Sequence, residues 1–461
     1  MKLKCHAELF LSILLHFFSI VTNLSSATDS IFAGQSLTFN NSLISKGGTF
    51  KLGFFSPGNS SKYYIGIWYN QISLRNRTYV WVANRNTPVS DPSSELKLLD
   101  DGNLVLVDSS DHRIWSTNTT SKAVTSSQVV LRDDGNLVLR KGVRESDVYW
   151  QSFDYPTDTW LPGGRVGYDN RRLTCWTSSD DPAEGSYSVE LDHIGEQYLF
   201  KWNNTKAYWN SGQWNGHIFS KNPELGLNYI RNVSYENNVS ETYFTYNVYE
   251  SITTRFMIDM WGQGGQYSWD ATTQKWLQLW SEPGQQCEVY AFCGAYGICT
   301  ENSLPVCKCM EGFEPQSPES WYQSHGYSSG CVRKTLTQCE DQSTFLMVAN
   351  VTLPSNPQSS TLEQTECRLT CLNNCSCIAY AYVSACFKWY GDLLNANQKK
   401  GVGNLYLKLA ASELKDFGIK KRGTKIGVIV GAVAIALSLC LLVIYFASKK
   451  KLNRKGKSSI F

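Results

Sequence analysis

Charge of one sign is what this 461-residue sequence has least of, since 43 Lys and Arg offset 40 Asp and Glu to leave a net charge of +3. So even a balance gives no electrostatic ground for a nucleic-acid or strongly acidic partner. Histidine is scarce as well. His112, His193, His217 and His325 stand singly, with no His-Glu-x-x-His or other metal-ligand spacing. The sequence shows no Gly-rich phosphate loop and no catalytic-loop or metal-binding Asp motif of a kinase. One nucleophile-elbow pattern, Gly326-Tyr327-Ser328-Ser329-Gly330, falls just before Cys331 in a loop-rich stretch rather than at a strand-to-helix turn. The paired acids Asp133 and Asp134 fall in a hairpin turn, which argues against a glycosidase. The expectation is a chain with no catalytic site, no cofactor and no metal.

Long apolar runs are confined to two places. Lys2 and Lys4 precede the run Leu9 to Val21, and the small residues Ser25, Ser26 and Ala27 follow, so residues 1–27 read as a signal peptide. Ile426 to Ala447 carries no charge and is long enough to cross ~30 Å of hydrocarbon. Lys449, Lys450, Lys451, Arg454, Lys455 and Lys457 follow at once as a stop-transfer cluster. The expected topology is a single-pass type I protein of the plasma membrane, N-terminus extracellular, with a helix over 426–447 and a short basic cytoplasmic tail over 448–461. Gly423, Gly427 and Gly431 recur every four residues, and Gly427 and Gly431 lie within the span, where small residues let two helices pair.

Cysteine is nearly absent before residue 287 and then crowded. Cys5 lies in the signal segment, Cys440 in the span, and Cys175 stands alone as an expected unpaired core thiol. Cys287, Cys293, Cys299, Cys307, Cys309 and Cys331 form one group; Cys339, Cys367, Cys371, Cys375, Cys377 and Cys386 form a second. Behind a signal peptide such crowding reads as disulfides rather than zinc, although six cysteines allow 15 pairings. No acidic cluster precedes Cys287, which argues against a calcium site. Nine N-glycosylation sequons are expected to be exposed: Asn40, Asn59, Asn76, Asn118, Asn203, Asn232, Asn238, Asn350 and Asn374, the last with Cys375 as its middle residue.

What is abundant is aromatic: 25 Tyr, 20 Phe and 15 Trp, set among short apolar segments and Gly/Asn/Asp turns. That pattern suits β-rich recognition modules. Asp100-Asp101-Gly102-Asn103-Leu104-Val105-Leu106 recurs as Asp133-Asp134-Gly135-Asn136-Leu137-Val138-Leu139, 33 residues later. The Asp-Gly and Gly-Asn pairs predict hairpin turns, each followed by a half-buried strand.

These residues resemble the bulb-type, mannose-binding lectins, which implies a β-prism of three four-stranded sheets. That family's sugar motif is Gln-x-Asp-x-Asn-x-Val-x-Tyr. Here one copy keeps Asp101, Asn103 and Val105 but has Leu99 and Val107 at the Gln and Tyr positions. The other keeps Asp134, Asn136 and Val138, with Arg132 and Arg140. Loss of two polar contacts per site, each worth on the order of 1 kcal/mol, marks both as degenerate remnants that hold turns.

A narrower resemblance comes from Trp150-Gln151-Ser152-Phe153-Asp154-Tyr155-Pro156-Thr157-Asp158-Thr159-Trp160-Leu161-Pro162-Gly163 and from Tyr208-Trp209-Asn210-Ser211-Gly212-Gln213-Trp214-Asn215-Gly216. Both are similar to signatures of the plant S-domain, or G-type lectin, receptor-like kinases. The resemblance implies a mainly β chain of two tandem bulb-lectin-like β-prisms, then small disulfide-rich EGF-like and PAN/apple modules, then a single transmembrane helix. The implied domains are a bulb-type lectin domain at 28–148, an S-locus glycoprotein domain at 149–280, an EGF-like domain at 283–333 and a PAN/apple domain at 339–412. It implies disulfides 287–299, 293–307, 309–331, 339–375, 367–386 and 371–377, and a helix at Thr365 to Leu372. The function it implies is a kinase-less recognition glycoprotein. Such a protein would bind an extracellular glycan, lipid-like molecule or secreted peptide, and act through partner receptor kinases as homodimer or heteromer. Alternatives are a truncated form of such a kinase, or a decoy or structural wall-interaction protein.

Overall fold

The computed structural model describes residues 28–413 except 59, 73–76, 120–126, 143, 145–146, 169–170, 193–195, 222–229, 239–240, 250–251, 324–325, 336–342, 400–401, and in addition Leu437, Leu439, Leu441 and Leu442. The expected signal peptide, the tail, most of the 426–447 span with Gly427 and Gly431, the sequon residues Asn59 and Asn76, and Cys339 lie outside the described residues. Among the described residues no helix is long and apolar enough to cross a membrane. The chain divides into two compact units, 1–290 and 291–461.

The first unit opens with three four-stranded antiparallel sheets. One joins Leu43–Ile44, Phe50–Phe55, Tyr64–Tyr69 and Tyr79–Val82; the next joins Ser36–Leu37, Glu95–Leu98, Leu104–Val107 and Arg113–Ser116. The third joins Ser30–Phe32, Ser127–Leu131, Leu137–Lys141 and Val148–Gln151. Their inner faces meet in one core containing Leu52, Ile67, Leu96, Leu106, Val129 and Leu139. The 33-residue repeat is visible as register, because Leu98 opposes Leu104 across one hairpin and Leu131 opposes Leu137 across the other.

The expectation of half-buried strands after these turns is corrected by the structure. Leu104–Val107 is buried throughout, and Val105 and Val138 are fully enclosed although they lie on the face away from Leu104, Leu106, Leu137 and Leu139. Both strands are central in their sheets. Val105 is flanked by Lys97 and Ser116, and Val138 by Val130 and Gln151, so cross-strand neighbours cover the outward side chains.

Residues 159–282 build three more antiparallel sheets. Two have four strands: Leu173–Ser178, Asp181–Leu191, Tyr198–Trp202 and Lys206–Asn210 in one, Thr159–Trp160, Thr254–Ile258, Gly264–Asp270 and Lys275–Glu282 in the other. The third has three strands, in the order Val166–Gly167, Thr242–Val248, Ile230–Asn237. Trp160, Tyr198, Tyr246 and Phe256 fill the space between them, with Trp160 edge-on to the other three rings. Cys175 is buried and unpaired here, and it accepts a hydrogen bond at Sγ from the Tyr187 amide at 3.4 Å.

In the second unit Gly297–Cys299 pairs antiparallel with Cys307–Cys309 and parallel with Ala396–Asn397, so one sheet joins strands of the first cysteine group to a strand that follows the second group in sequence. A five-stranded sheet follows in the order Ser343–Ala349, Asn404–Ala410, Ala379–Tyr382, Cys386–Trp389, Gln358–Ser360. The helix expected at Thr365 to Leu372 is present as Gln364–Asn373. Its spacing turns Cys367 and Cys371 to one buried face, where they bond Cys386 and Cys377. Bridges 293–307 and 309–331 staple the preceding module, and Cys287, Cys299 and Cys375 are also disulfide-bonded. Each bridge contributes roughly 2–4 kcal/mol where the apolar core is small.

One lysine completes this unit. Lys408 Nζ donates to the carbonyls of Leu372 at 2.8 Å, Asn374 at 3.1 Å and Cys371 at 3.3 Å. An ammonium placed on the last carbonyls of the helix satisfies acceptors that have no partner within it and complements the negative end of its dipole.

Candidate functional site

The two motif turns have the same construction. Leu99 N donates to Asn103 O at 2.9 Å and Gly102 N to Leu99 O at 3.0 Å; Arg132 N donates to Asn136 O at 2.9 Å and Gly135 N to Arg132 O at 3.1 Å. Gly102 and Gly135 stand at φ +83° and +88°, which favours glycine at this corner. Asp101 Oδ1 accepts from the Asn103 amide at 2.8 Å, and Asp134 Oδ1 from the Asn136 amide at 2.9 Å.

The asparagines point inward. Asn103 Oδ1 accepts from Thr119 N at 2.7 Å, Thr119 Oγ1 at 3.0 Å and Thr117 Oγ1 at 3.2 Å. Asn136 Oδ1 accepts from Ser152 Oγ and Phe153 N, both at 3.2 Å, while its Nδ2 donates to Gln151 Oε1 at 2.9 Å. Asn103, Asn136, Val105, Val138 and Val107 are all buried. The six retained motif residues thus fall in two sets of three; each Asp carboxylate braces its own turn, and each Asn side chain ties its turn to the end of the sheet's edge strand, Arg113–Ser116 or Val148–Gln151.

A third turn of this kind escaped the sequence reading. Asp259 N donates to Gln263 O at 2.9 Å and Gly262 N to Asp259 O at 3.1 Å, with Gly262 at φ +87°. Trp261 and Gln263 replace the motif's Asp and Asn, and the carboxylate that receives the turn's amides sits at the first position instead. Asp259 Oδ1 accepts from Gln263 N at 2.9 Å and Trp261 N at 3.0 Å. Burial pushes the Asp259 carboxyl up to about 6, against those amide bonds. A strand-end bond recurs too: Leu104 N donates to Thr117 Oγ1, Leu137 N to Ser152 Oγ and Tyr198 N to Ser211 Oγ, at 3.1, 2.9 and 2.8 Å. The glycine corner, rather than any carboxylate or amide position, is the sequence feature the three turns share.

Open space lies elsewhere. A cleft of about 670 Å³ is floored by Trp81, Trp115 and Trp150. Their rings meet edge to face at 6.0–6.1 Å. Tyr155 stacks on Trp150 at 5.7 Å and is 42% exposed. Asn86, Arg172, Glu184 and the sequon residue Asn118 stand at the rim. Arg85 holds the far wall, donating from Nε to Pro182 O at 2.7 Å and from Nη2 to Cys175 O at 2.9 Å and Thr174 O at 3.0 Å. The exposed ring of Tyr155, backed by the tryptophans and set beside planar amide, guanidinium and carboxylate groups, suits a ligand with both apolar faces and hydroxyls.

The remaining sequence candidates stay apart. His112 Nδ1 lies 3.2 Å from Asp108 Oδ2, neither His112 nor His217 belongs to a metal-spaced group among the described residues, and His193 and His325 fall outside them. Ser328 sits in a short 3-10 turn, Tyr327–Ser329, not at a strand-to-helix elbow. Cys293, Cys299 and Cys307 converge closely enough for a metal, but all three are disulfide-bonded. Asn40, Asn118, Asn232, Asn238, Asn350 and Asn374 are exposed, as is Asn203, which lies in a turn at φ +47°.

Fold and cysteine pattern together define a lectin-like, disulfide-stapled β protein. Family models match in three stretches: D-mannose binding lectin over 78–179, S-locus glycoprotein domain over 209–317 and PAN-like domain over 339–396. An Arabidopsis thaliana G-type lectin S-receptor-like serine/threonine-protein kinase is 42% identical over 438 residues, covering 90% of this chain and 52% of its own length. An Arabidopsis thaliana protein named "Putative inactive G-type lectin S-receptor-like serine/threonine-protein kinase SRK" is 35% identical over 479 residues, covering 99% of this chain and 85% of its own. The chain belongs to the G-type lectin S-receptor-like serine/threonine-protein kinase family. It spans about half the length of the first curated relatives it matches, 52% for the first. Among solved structures, the snowdrop mannose-specific agglutinin covers 26% of the chain at 20% identity with a TM-score of 0.20, and a Gastrodia elata mannose-binding lectin covers 27% at 24% identity with a TM-score of 0.21.

Proposed function

We propose that this chain is a cell-surface recognition glycoprotein that binds an extracellular ligand through the Trp81–Trp115–Trp150 cleft and not through the degenerate motif turns. The observation that carries this reading is the pairing of open aromatic space with a polar rim, while Asn103 and Asn136 have their side-chain atoms engaged inside the fold. Of the ligand classes a receptor of this family would meet, a glycan longer than one sugar fits best, because it offers ring faces to Tyr155 and hydroxyls to Arg172, Glu184 and Asn86. We place the chain in the plasma membrane as a single-pass type I protein, on the signal-like start and the apolar run 426–447. The recurrence of the glycine-cornered turn at Asp259–Gln263 supports a second lectin-like prism over 149–280, followed by EGF-like and apple modules. Signalling would come from an associated receptor kinase, with Gly427 and Gly431 as a helix-pairing face.

The test is an oligosaccharide array of plant-wall and microbial glycans probed with the full-length chain in detergent. Retention of an oligosaccharide with none of free mannose supports the reading. Retention of mannose alone contradicts it.

A further inference from the structure

The strand Ile230–Asn237 ends its sheet. It pairs with Thr242–Val248 on one side, and among the described residues no strand pairs with the other. The other five sheets of this unit have four strands each. An eight-residue edge with unpaired amides and carbonyls is a template for strand addition, and proteins blunt such edges with proline, lysine or bulk. This strand, Ile-Arg-Asn-Val-Ser-Tyr-Glu-Asn, has neither proline nor lysine.

Its two faces are distinct. Tyr235 stacks on the buried Phe244 at 4.5 Å, so Val233 and Tyr235 face the core. By the period of two, Asn232, Ser234 and Glu236 face outward, and Asn238 continues that row just past the strand end. Asn232, Glu236 and Asn238 are exposed. Both asparagines head the same sequon, Asn232-Val233-Ser234 and Asn238-Val239-Ser240, one at each end of the outward row.

We propose that N-linked glycans on Asn232 and Asn238 guard this edge, keeping a second copy of the chain from adding its own Ile230–Asn237 strand. This rests on the reading that the region is extracellular. In the modification, each Asn Nδ2 loses a proton and bonds the anomeric carbon of an oligosaccharide carried on a lipid diphosphate, which leaves. The bulky sugars, rising from the outward face at both ends of the row, then crowd the side chains and sugars of an incoming copy of the strand, a role that lysine or proline takes at other edges.

The full-length chain made in plant cells tests this. Peptide mass spectrometry should find glycan on Asn232 and Asn238; their lack, with other sequons occupied, overturns the inference, whereas lack of glycan at every sequon would overturn the extracellular reading itself. A Glu236→Cys thiol on the outward face then reports pairing through a short bis-maleimide. Ser234→Ala with Ser240→Ala, which removes both sequons and keeps both asparagines, should raise cross-linked dimer severalfold. Ser234→Lys with Ser240→Ala removes the same sequons but adds a charge to the edge, and should return cross-linking to the native level. Equal cross-linking in all three backgrounds overturns the guard.

Discussion

The side-chain oxygen of Asn103 accepts a hydrogen bond from the Thr119 amide at 2.7 Å, so the polar group that a sugar motif presents to solvent is here turned into the fold. Asn136 does the same toward Phe153. The motif survives as a strand clamp, and that governs what its loss should do.

Asn136→Ala leaves the Ser152 hydroxyl and Phe153 amide without their acceptor, and should lower stability by about 1–3 kcal/mol. Mannose retention should be absent in both native and variant chains. Denaturant unfolding and a mannose column check the two halves.

Asp259 predicts a pH dependence. Its folded value of about 6 lies above the ordinary carboxylate range, so the folded state binds the proton more tightly than the unfolded one. Its favourable contribution is fully present below about pH 4 and is lost as pH rises through about 6, a swing of roughly 2–3 kcal/mol. Asp259→Asn keeps an acceptor for the Trp261 and Gln263 amides and removes the titration. Unfolding of the variant at pH 4 to 7 should show a flatter profile than the native chain; an unchanged slope would assign the effect to another group.

Lys408→Met should destabilise the second unit by about 2–3 kcal/mol, since three carbonyls at the end of Gln364–Asn373 lose a charged donor. Hydrogen exchange should quicken in that helix, while Phe50–Phe55 in the first unit stays protected.

Cys175 should be the one alkylatable thiol between residues 28 and 413, and only after unfolding, because burial pushes its pKa up to about 12. Label on Cys367 or Cys371 would contradict bridges 367–386 and 371–377.

How much was legible follows from where each signal sat. Hairpins at Leu99–Asn103 and Arg132–Asn136 were readable because glycine, Asx residues and the next strand are contiguous and repeat at a fixed offset. Helix Gln364–Asn373 was readable from cysteine spacing and family likeness. The turn at Asp259–Gln263 was hidden because its carboxylate moved two positions within the turn. The cleft was hidden for a different reason: Trp81, Trp115 and Trp150 come from three sheets, and each alone reads as core. Lys408 carried no local mark, since its acceptors lie more than thirty residues earlier and only the sheet brings them together.

On the proposed reading, recognition runs through the aromatic cleft. Its most direct test measures binding of an array-selected oligosaccharide to the full-length chain by calorimetry, for Tyr155→Ala with Arg172→Ala and separately for Asp101→Ala with Asp134→Ala. Binding should weaken at least about tenfold, ~1.4 kcal/mol, for the cleft pair and keep native affinity for the turn pair. Native affinity in the cleft pair, with loss in the turn pair, would contradict it.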